Sequence, residues 1–183
     1  MLALLAVLLL AWWGMRRGWE ARRRRTEAAV PTVPDVPADP GPALVGPVEA
    51  VYVSTTSAGD WLDRVVAHDL GVRSPATVSV HASGVVVRRT GARDLFVPAA
   101  ALRGAEAAPA IAGKVVGRDG LVLLRWAPPA PHPSDEHAPE AALDTGLLPR
   151  HAADRDALVA AVAALTSPSS SQTAAPRGTQ EKP

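Results

Sequence analysis

The chain has 183 residues, which suffices for one ordinary domain with appendages but not for two full-sized domains. Hydrophobic residues make up 48% and charged residues 20%, so we expect part of the chain to bury a core, and disorder throughout is excluded. The absence of cysteine excludes disulfides, thiolate metal sites and a cysteine nucleophile. The net charge of +1 is uneven: residues 1–29 contain six arginines and two glutamates, a sum of +4, which leaves −3 for the remainder.

The N-terminal segment predicts a membrane anchor. The first 15 residues, MLALLAVLLLAWWGM, are uncharged. As a helix they would extend about 22 Å, against a hydrocarbon core of about 30 Å. A crossing therefore also needs residues 16–19, and we predict an uncleaved transmembrane helix over residues 1–19. Arginine side chains and indole rings are amphipathic and favour the interface between lipid and water. We therefore predict that the following residues lie at this interface: Trp12, Trp13, Arg16, Arg17, Trp19, Arg22, Arg23, Arg24 and Arg25.

Two other interpretations of this segment are weaker. A cleaved secretory signal would require a positive region before the apolar run and a small-residue cleavage site after it, and the sequence has neither. The arginines could form a nucleic-acid patch, but their position beside an apolar helix favours a role in topology. Since all six follow the apolar run, the positive-inside rule predicts a single-pass protein of the cell membrane, with the N-terminus outside and the remainder in the cytoplasm.

Proline-rich stretches mark the domain boundaries. Residues 20–47 are basic and then proline-rich, which predicts an extended, semi-rigid linker that holds the domain off the bilayer. Residues 128–141 contain five prolines and are predicted to be an inserted loop, and the polar residues 167–183 are predicted to be a disordered tail. The folded unit is therefore expected at residues 48–166.

Within this unit, short β-branched runs separated by turn residues predict seven or eight antiparallel strands. Asp119-Gly120 is typical of a two-residue hairpin turn. A stripe of Leu158, Val162 and Leu165 predicts one amphipathic helix over residues 152–165, which would plug the end of a barrel or of a pair of sheets. The predicted strands are 48–54, 61–67, 76–81, 85–90, 94–97, 114–117, 121–126 and 143–147.

Enzymatic signals are weak. Asp144-Thr145-Gly146 matches the triplet of aspartic proteases, which need two such carboxylates sharing one proton. Only residues 147–183 follow it, too few for the rest of a protease lobe, so a strand end and turn are favoured. A histidine and carboxylate cluster lies in the proline-rich loop, where a solvated loop is favoured over a metal site; its members are His132, Asp135, Glu136 and His137. We predict no catalysis and no cofactor or metal.

The sequence also provides no signature of nucleotide or nucleic-acid binding. Neither GxGxxG nor GxxxxGK[ST] occurs, and the folded unit is net negative with few aromatic residues, whereas base stacking needs exposed rings in a basic groove. The predicted partner is a protein at the cytoplasmic face. The candidate contacts are a loop after the first strand and a basic hairpin edge, which comprise Thr55, Thr56, Ser57, Asp60, Arg88, Arg89 and Arg93.

Several segments together resemble a known family. They are Tyr52-Val53-Ser54-Thr55-Thr56, Leu70-Gly71-Val72-Arg73, Asp94-Leu95-Phe96-Val97-Pro98 and Leu143-Asp144-Thr145-Gly146, and they look like the actinobacterial single-pass membrane proteins that carry one cytoplasmic PH-like domain. Members of that family are often labelled transporter or export protein and are commonly encoded near pyrimidine-biosynthesis genes. The resemblance implies a mainly β fold, a PH-like barrel of two nearly orthogonal sheets capped by a C-terminal helix.

The resemblance implies a binding or scaffolding module rather than an enzyme. PH domains that bind phosphoinositides grip phosphate with lysine and arginine around the first hairpin, and the matching loop here, residues 55–60, contains no cation. Two alternatives stay open. One is a module that senses anionic lipid or a small ligand, and the other is an aspartic-protease-like enzyme that uses Asp144.

Overall fold

The structure is a computed structural model that describes residues 2–30, 32–115, 120–129 and 142–167. Along these residues, two α-helices flank nine strands, and short 3-10 helices occur at Ala67–Asp69 and Ala99–Ala101. In chain order the elements are α1 (Leu2–Ala29), β1 (Ala43–Ser57), β2 (Ser74–His81), β3 (Gly84–Arg89), β4 (Leu95–Pro98), β5 (Leu102–Ala108), β6 (Ala110–Ile111), β7 (Lys114–Val115), β8 (Leu121–Trp126), β9 (Leu143–Pro149) and α2 (Ala152–Thr166).

Seven of these strands form one antiparallel sheet in the order β4-β3-β2-β1-β9-β8-β5. β4 and β5 are its edges, so the sheet is open among the described residues, and the prediction of a barrel is corrected. The helix α2 packs mainly against β5 and covers the side that a barrel would close. The 15-residue strand β1 pairs with β2 and, after a register shift between Tyr52 and Ser54, mainly with β9. Such irregularities bend a strand and let one long strand serve both halves of the sheet.

The principal core lies between the inner face of the sheet and α2. Alternate residues of β2 are buried there, because successive side chains of a strand point to opposite faces. From α2, Leu158 and Val162 complete the core, which confirms the predicted helix and its apolar stripe. The predictions of strands β2, β3, β4, β8 and β9 are also confirmed to within a few residues.

A second, smaller core lies on the outer face of the sheet. The two-stranded ribbon of β6 and β7 folds over this face, and Ile111 packs there with Val53 and Leu121. Gly146 in β9 makes this contact close, since a Cβ added to it would lie 2.5 Å from Cγ2 of Ile111. On this face the ribbon packs against residues of β1, β8 and β9.

The strand predictions need three corrections: one predicted strand is absent, two strands were not predicted, and one predicted hairpin pairs differently. The strand predicted at 61–67 is wrong: this stretch forms turns because the Asp60 carboxylate accepts the backbone N–H groups of Leu62 and Asp63. The alanine-rich strands β5 and β6 were not predicted, since alanine has little preference for strands. The hairpin predicted around Asp119-Gly120 is wrong in its pairing, because β7 pairs with β6 whereas β8 pairs with β5 and β9. Residues 116–119 lie outside the described residues.

The N-terminal segment is helical as predicted but differs in its relation to the domain. None of the helices in the described residues is long and apolar enough to cross a membrane. Instead of an extended spacer, residues 20–29 continue α1, and Val30 and Val33 are buried in the principal core. Nε2 of His68 lies 2.8 Å from the Val30 carbonyl oxygen, and Arg93 forms an ion pair with Asp35. The segment before β1 is therefore docked on the domain, because its valines find apolar partners there.

The predicted inserted loop and the predicted tail fall mostly outside the described residues, as do all four members of the histidine and carboxylate cluster.

Candidate functional site

An interior network accounts for Arg89, which the sequence assigned to a solvated basic edge. Its guanidinium lies 3.8 Å above the centre of the Tyr52 ring. It donates to Ser74 Oγ and to three backbone carbonyl oxygens, those of Asp69, Val72 and Arg93. Burial lowers the pKa of Arg89 from its ordinary value, while nearby Tyr52 and two carboxylates oppose this effect. Arg89 thus fixes the β1–β2 connection and is not an exposed contact.

Tyr52 extends the same network toward β9. Its hydroxyl donates to the Leu70 carbonyl oxygen at 2.8 Å and lies 2.6 Å from Thr55 Oγ1. Thr55 Oγ1 is in turn 2.7 Å from Thr145 Oγ1, which accepts the indole N–H of Trp126 at 2.9 Å. Burial raises the pKa of Tyr52 to about 12, against the opposing effects of the Thr55 hydrogen bond and the Arg89 charge.

These contacts correct the predicted loop at residues 55–60. Thr55 and Thr56 are buried within β1, so their side chains are structural rather than available to a partner. Ser57, the last residue of β1, is partly exposed and donates to the Asp63 carboxylate at 2.7 Å, and Asp60 is exposed in the turn that follows. Their role in binding stays a prediction, as do those of Arg88 and Arg93.

The Asp144 carboxylate is buried and uses both oxygens. Oδ1 accepts from Nε of Arg125 at 2.8 Å, Oδ2 accepts from Nη2 of the same arginine at 3.0 Å, and the backbone N–H of Gly59 lies 3.3 Å from Oδ2. The hydrogen bond to Asp144 raises the pKa of Arg125. Together with the packing of Gly146, these bonds give the Asp-Thr-Gly triplet a structural role that joins β8, β9 and the turn after β1.

One groove lies on the outer face of the sheet, beside the area covered by the β6–β7 ribbon. It has a volume of about 750 Å³ and crosses β3, β2, β1 and β9. We call it the outer groove. Its outward side chains form a polar row and an apolar row, which are Arg88, Thr77, Glu49 and Arg150, and Pro75, Val51 and Leu148.

Strand register generates these rows. Arg88 pairs with Thr77 and Thr77 with Glu49, while the N–H of Arg150 donates to the Glu49 carbonyl oxygen at 3.1 Å. Two residues further along, Pro75 pairs with Val51 and Val51 with Leu148. Sequence reasoning found only Arg88 of these two rows, because the rows join residues that are remote in sequence and become neighbours only through pairing.

A second groove, of about 580 Å³, lies between α1 and the β1–β2 connection. We call it the junction groove. Three arginines line it, Arg23, Arg64 and Arg93, together with Trp19 and Val72. Two carboxylates, those of Glu27 and Asp69, line it as well, and Arg23 donates to Glu27 at 2.8 Å.

The fold is that of a small β domain, an open antiparallel sheet with one C-terminal helix across its inner face and with the grooves described above open to solvent. The family model described as Bacterial PH domain-like matches residues 30–163, well over half of the chain, and the chain belongs to this family. The match begins at Val30, where the structure also places the start of the buried core.

The other comparisons add little. No curated protein matches the chain. Among solved structures, a chain of "The 8S snRNP Assembly Intermediate" is similar over 79% of this chain and 98% of its own, with 11% sequence identity and a TM-score of 0.46. The family match confirms the PH-like part of the resemblance, while the actinobacterial origin, the gene neighbourhood and the membrane anchor stay predictions.

Proposed function

We propose that the protein is a membrane-anchored PH-like module that binds a protein partner at the cytoplasmic face of the cell membrane, without catalysis of its own. The observation that carries this proposal is the first half of α1. Its large apolar side chains are 55–77% exposed and have no cover among the described residues; they are Leu4, Leu5, Val7, Leu8, Leu9, Leu10, Trp12, Trp13 and Met15. Their transfer from water to lipid would contribute on the order of 15–25 kcal/mol.

The residues that follow suit the lipid interface. The Arg16 guanidinium lies 5.7 Å from the centre of the Trp12 ring and that of Arg17 lies 5.2 Å from that of Trp13. Such stacked pairs place an amphipathic ring and a cation together at headgroup level. With the six arginines on the C-terminal side of the apolar run, the N-terminus is outside and the PH-like domain inside.

The docked segment favours a domain that lies close to the bilayer. From Arg17 to Arg23 the helix rises about 9 Å, roughly one Debye length. Arg23 lines the junction groove with Arg64 of the β1–β2 connection. An anchored α1 would therefore bring this groove to the headgroup region.

This geometry also favours one alternative function, the recognition of anionic lipid. The three arginines of the junction groove exceed its two carboxylates by one charge, and each cation near an anionic surface is worth about 1 kcal/mol. Flotation of the full chain with anionic vesicles, compared with neutral vesicles, measures this preference. Equal flotation of wild type and Arg64→Glu on both vesicle types would remove the lipid-sensing function.

The anchor is tested by fractionating cells that express the full chain and a variant lacking residues 2–15. We expect the full chain to stay in the membrane pellet after alkaline extraction and the deletion variant to be soluble. Since the chain has no cysteine, Ser167→Cys reports topology: a membrane-impermeant maleimide should label it only after permeabilisation. Labelling of intact cells would refute the proposed orientation, and release of the full chain by alkaline extraction would refute the proposed anchor.

A further inference from the structure

We infer that the outer groove binds an acidic segment of the partner protein that also carries apolar side chains. This inference rests on the proposed binding function and names the chemistry of the partner. The polar row places an exposed arginine at each end, since Arg88 and Arg150 stand on the outermost of the four strands. Three strand spacings of about 4.8 Å separate them by about 14 Å.

Both arginines are available to a partner. Their side chains are 61% and 70% exposed, and each is paired at the surface, Arg88 with Asp94 at 3.3 Å and Arg150 with Glu49 at 2.6 Å. Exposed pairs of this kind contribute only about 0–1 kcal/mol, so a carboxylate of a partner can replace Asp94 or Glu49 at little cost. The chain after residue 29 sums to −3, which makes this positively lined groove a local exception.

The apolar row supplies the other half of the recognition surface. Val51 and Leu148 are half-buried and Pro75 is exposed, so water still reaches a strip of apolar surface directly beside the cations. An occupant with two carboxylates about 14 Å apart and apolar side chains between them would fill both rows. This separation corresponds to about nine residues of a helix or about four residues of an extended chain.

Other occupants fit less well. None of the described lining residues is aromatic, whereas single-stranded nucleic acid is held largely by stacking on aromatic rings. A second copy related by a two-fold axis would present the same surface to itself and would oppose arginine to arginine. Charge complementarity therefore selects an acidic protein segment.

The test uses the full chain in non-ionic detergent micelles and a display library of random twelve-residue peptides. We expect the selected pool to be enriched in Asp and Glu flanking apolar residues. The most enriched peptide, labelled and measured by fluorescence anisotropy, should lose at least about tenfold in affinity with the double variant Arg88→Glu, Arg150→Glu. Arg103→Glu, on the distant strand β5, is the matched charge reversal for each of the single variants Arg88→Glu and Arg150→Glu, and it should change the affinity by less than about twofold.

A variant with increased affinity would distinguish an effect on the groove from misfolding, because a misfolded protein would not bind the peptide more tightly. Glu49→Gln releases Arg150 from its carboxylate, so we expect about two- to fivefold tighter binding of the same peptide. A pool without acidic enrichment, equal losses for the groove and control reversals, or a groove reversal that changes only self-association in sedimentation would overturn the inference. Peptides whose affinity is unchanged by the groove variants would overturn the inference about the outer groove but not the proposed binding function. The anchor is tested separately by cell fractionation.

Discussion

Gly146→Ala isolates the contact by which the ribbon of β6 and β7 packs on the outer face of the sheet. An added Cβ would lie 2.5 Å from Cγ2 and 3.0 Å from Cδ1 of Ile111, both closer than carbon atoms approach without displacement. Ile111 is itself buried in the smaller core with Val53 and Leu121, so it cannot move without shifting the ribbon.

Overpacking of this kind costs about 1–3 kcal/mol. Alanine also restricts the unfolded chain more than glycine does, which stabilises the folded state by about 0.4–1 kcal/mol and offsets part of this cost. We therefore expect Gly146→Ala to lower the free energy of unfolding by about 1–2 kcal/mol, measured by urea denaturation of the full chain in detergent. Ile111→Ala should cost about 2–5 kcal/mol through lost burial and a cavity.

The double variant Gly146→Ala, Ile111→Ala tests whether the contact between these two residues causes the loss of stability in Gly146→Ala. The alanine at 146 no longer meets the Ile111 side chain and occupies part of the vacated space, so the double variant should be more stable than the sum of the two single effects by at least about 1 kcal/mol. Strict additivity would refute the packing account of Gly146. It would also reopen the question of why Asp-Thr-Gly stands at this position.

Two further predictions concern the interior network. Arg89→Met should lower the free energy of unfolding by about 2–4 kcal/mol because it leaves buried carbonyl oxygens without donors. Arg88→Met, one residue away, should change the free energy of unfolding by less than about 0.5 kcal/mol. Equal effects of the two variants in urea denaturation would contradict the structural role of Arg89. Tyr52 is the chain's one tyrosine, and its pKa in the folded state is raised to about 12. The neutral phenol therefore contributes its full stabilisation below about pH 10. This stabilisation, on the order of 2–3 kcal/mol in total, is lost as the pH rises through about 12. Phenolate absorbance should report an apparent pKa near 12, and a value near that of free tyrosine would show that Tyr52 is not buried.

The sequence carried enough information for the strongly patterned elements. β2 alternates between apolar and polar residues, and α2 has an apolar stripe, so their periodicity identified them. β5 has no such pattern, since it is alanine-rich and gains its place only by pairing with β8 and packing against α2. Docking of Val30 and Val33 was likewise hidden, because prolines around them suggested a spacer.

The predicted basic cluster shows why charge alone did not define the site. Arg88 and Arg89 are adjacent in β3, and successive residues of a strand point to opposite faces. One therefore enters the outer groove and the other the interior network, while Arg93 pairs with Asp35 ahead of β1. Applying the two-residue period to the arginines as well as to the valines would have separated Arg88 from Arg89. The cross-strand rows would still have required the register.

Strand β1 links the two surfaces that the proposed function uses. Val51 forms part of the floor of the outer groove, while the next residue, Tyr52, holds Leu70 of the β1–β2 connection from the other face. That connection lines the junction groove beside α1. Because neighbouring residues of one strand point to opposite faces, the outer groove and the interior network that holds this connection lie on the two sides of the same sheet. If α1 is anchored as proposed, the segment between α1 and β1, held to the domain by the buried Val30 and Val33, would limit how far the domain can turn relative to the membrane.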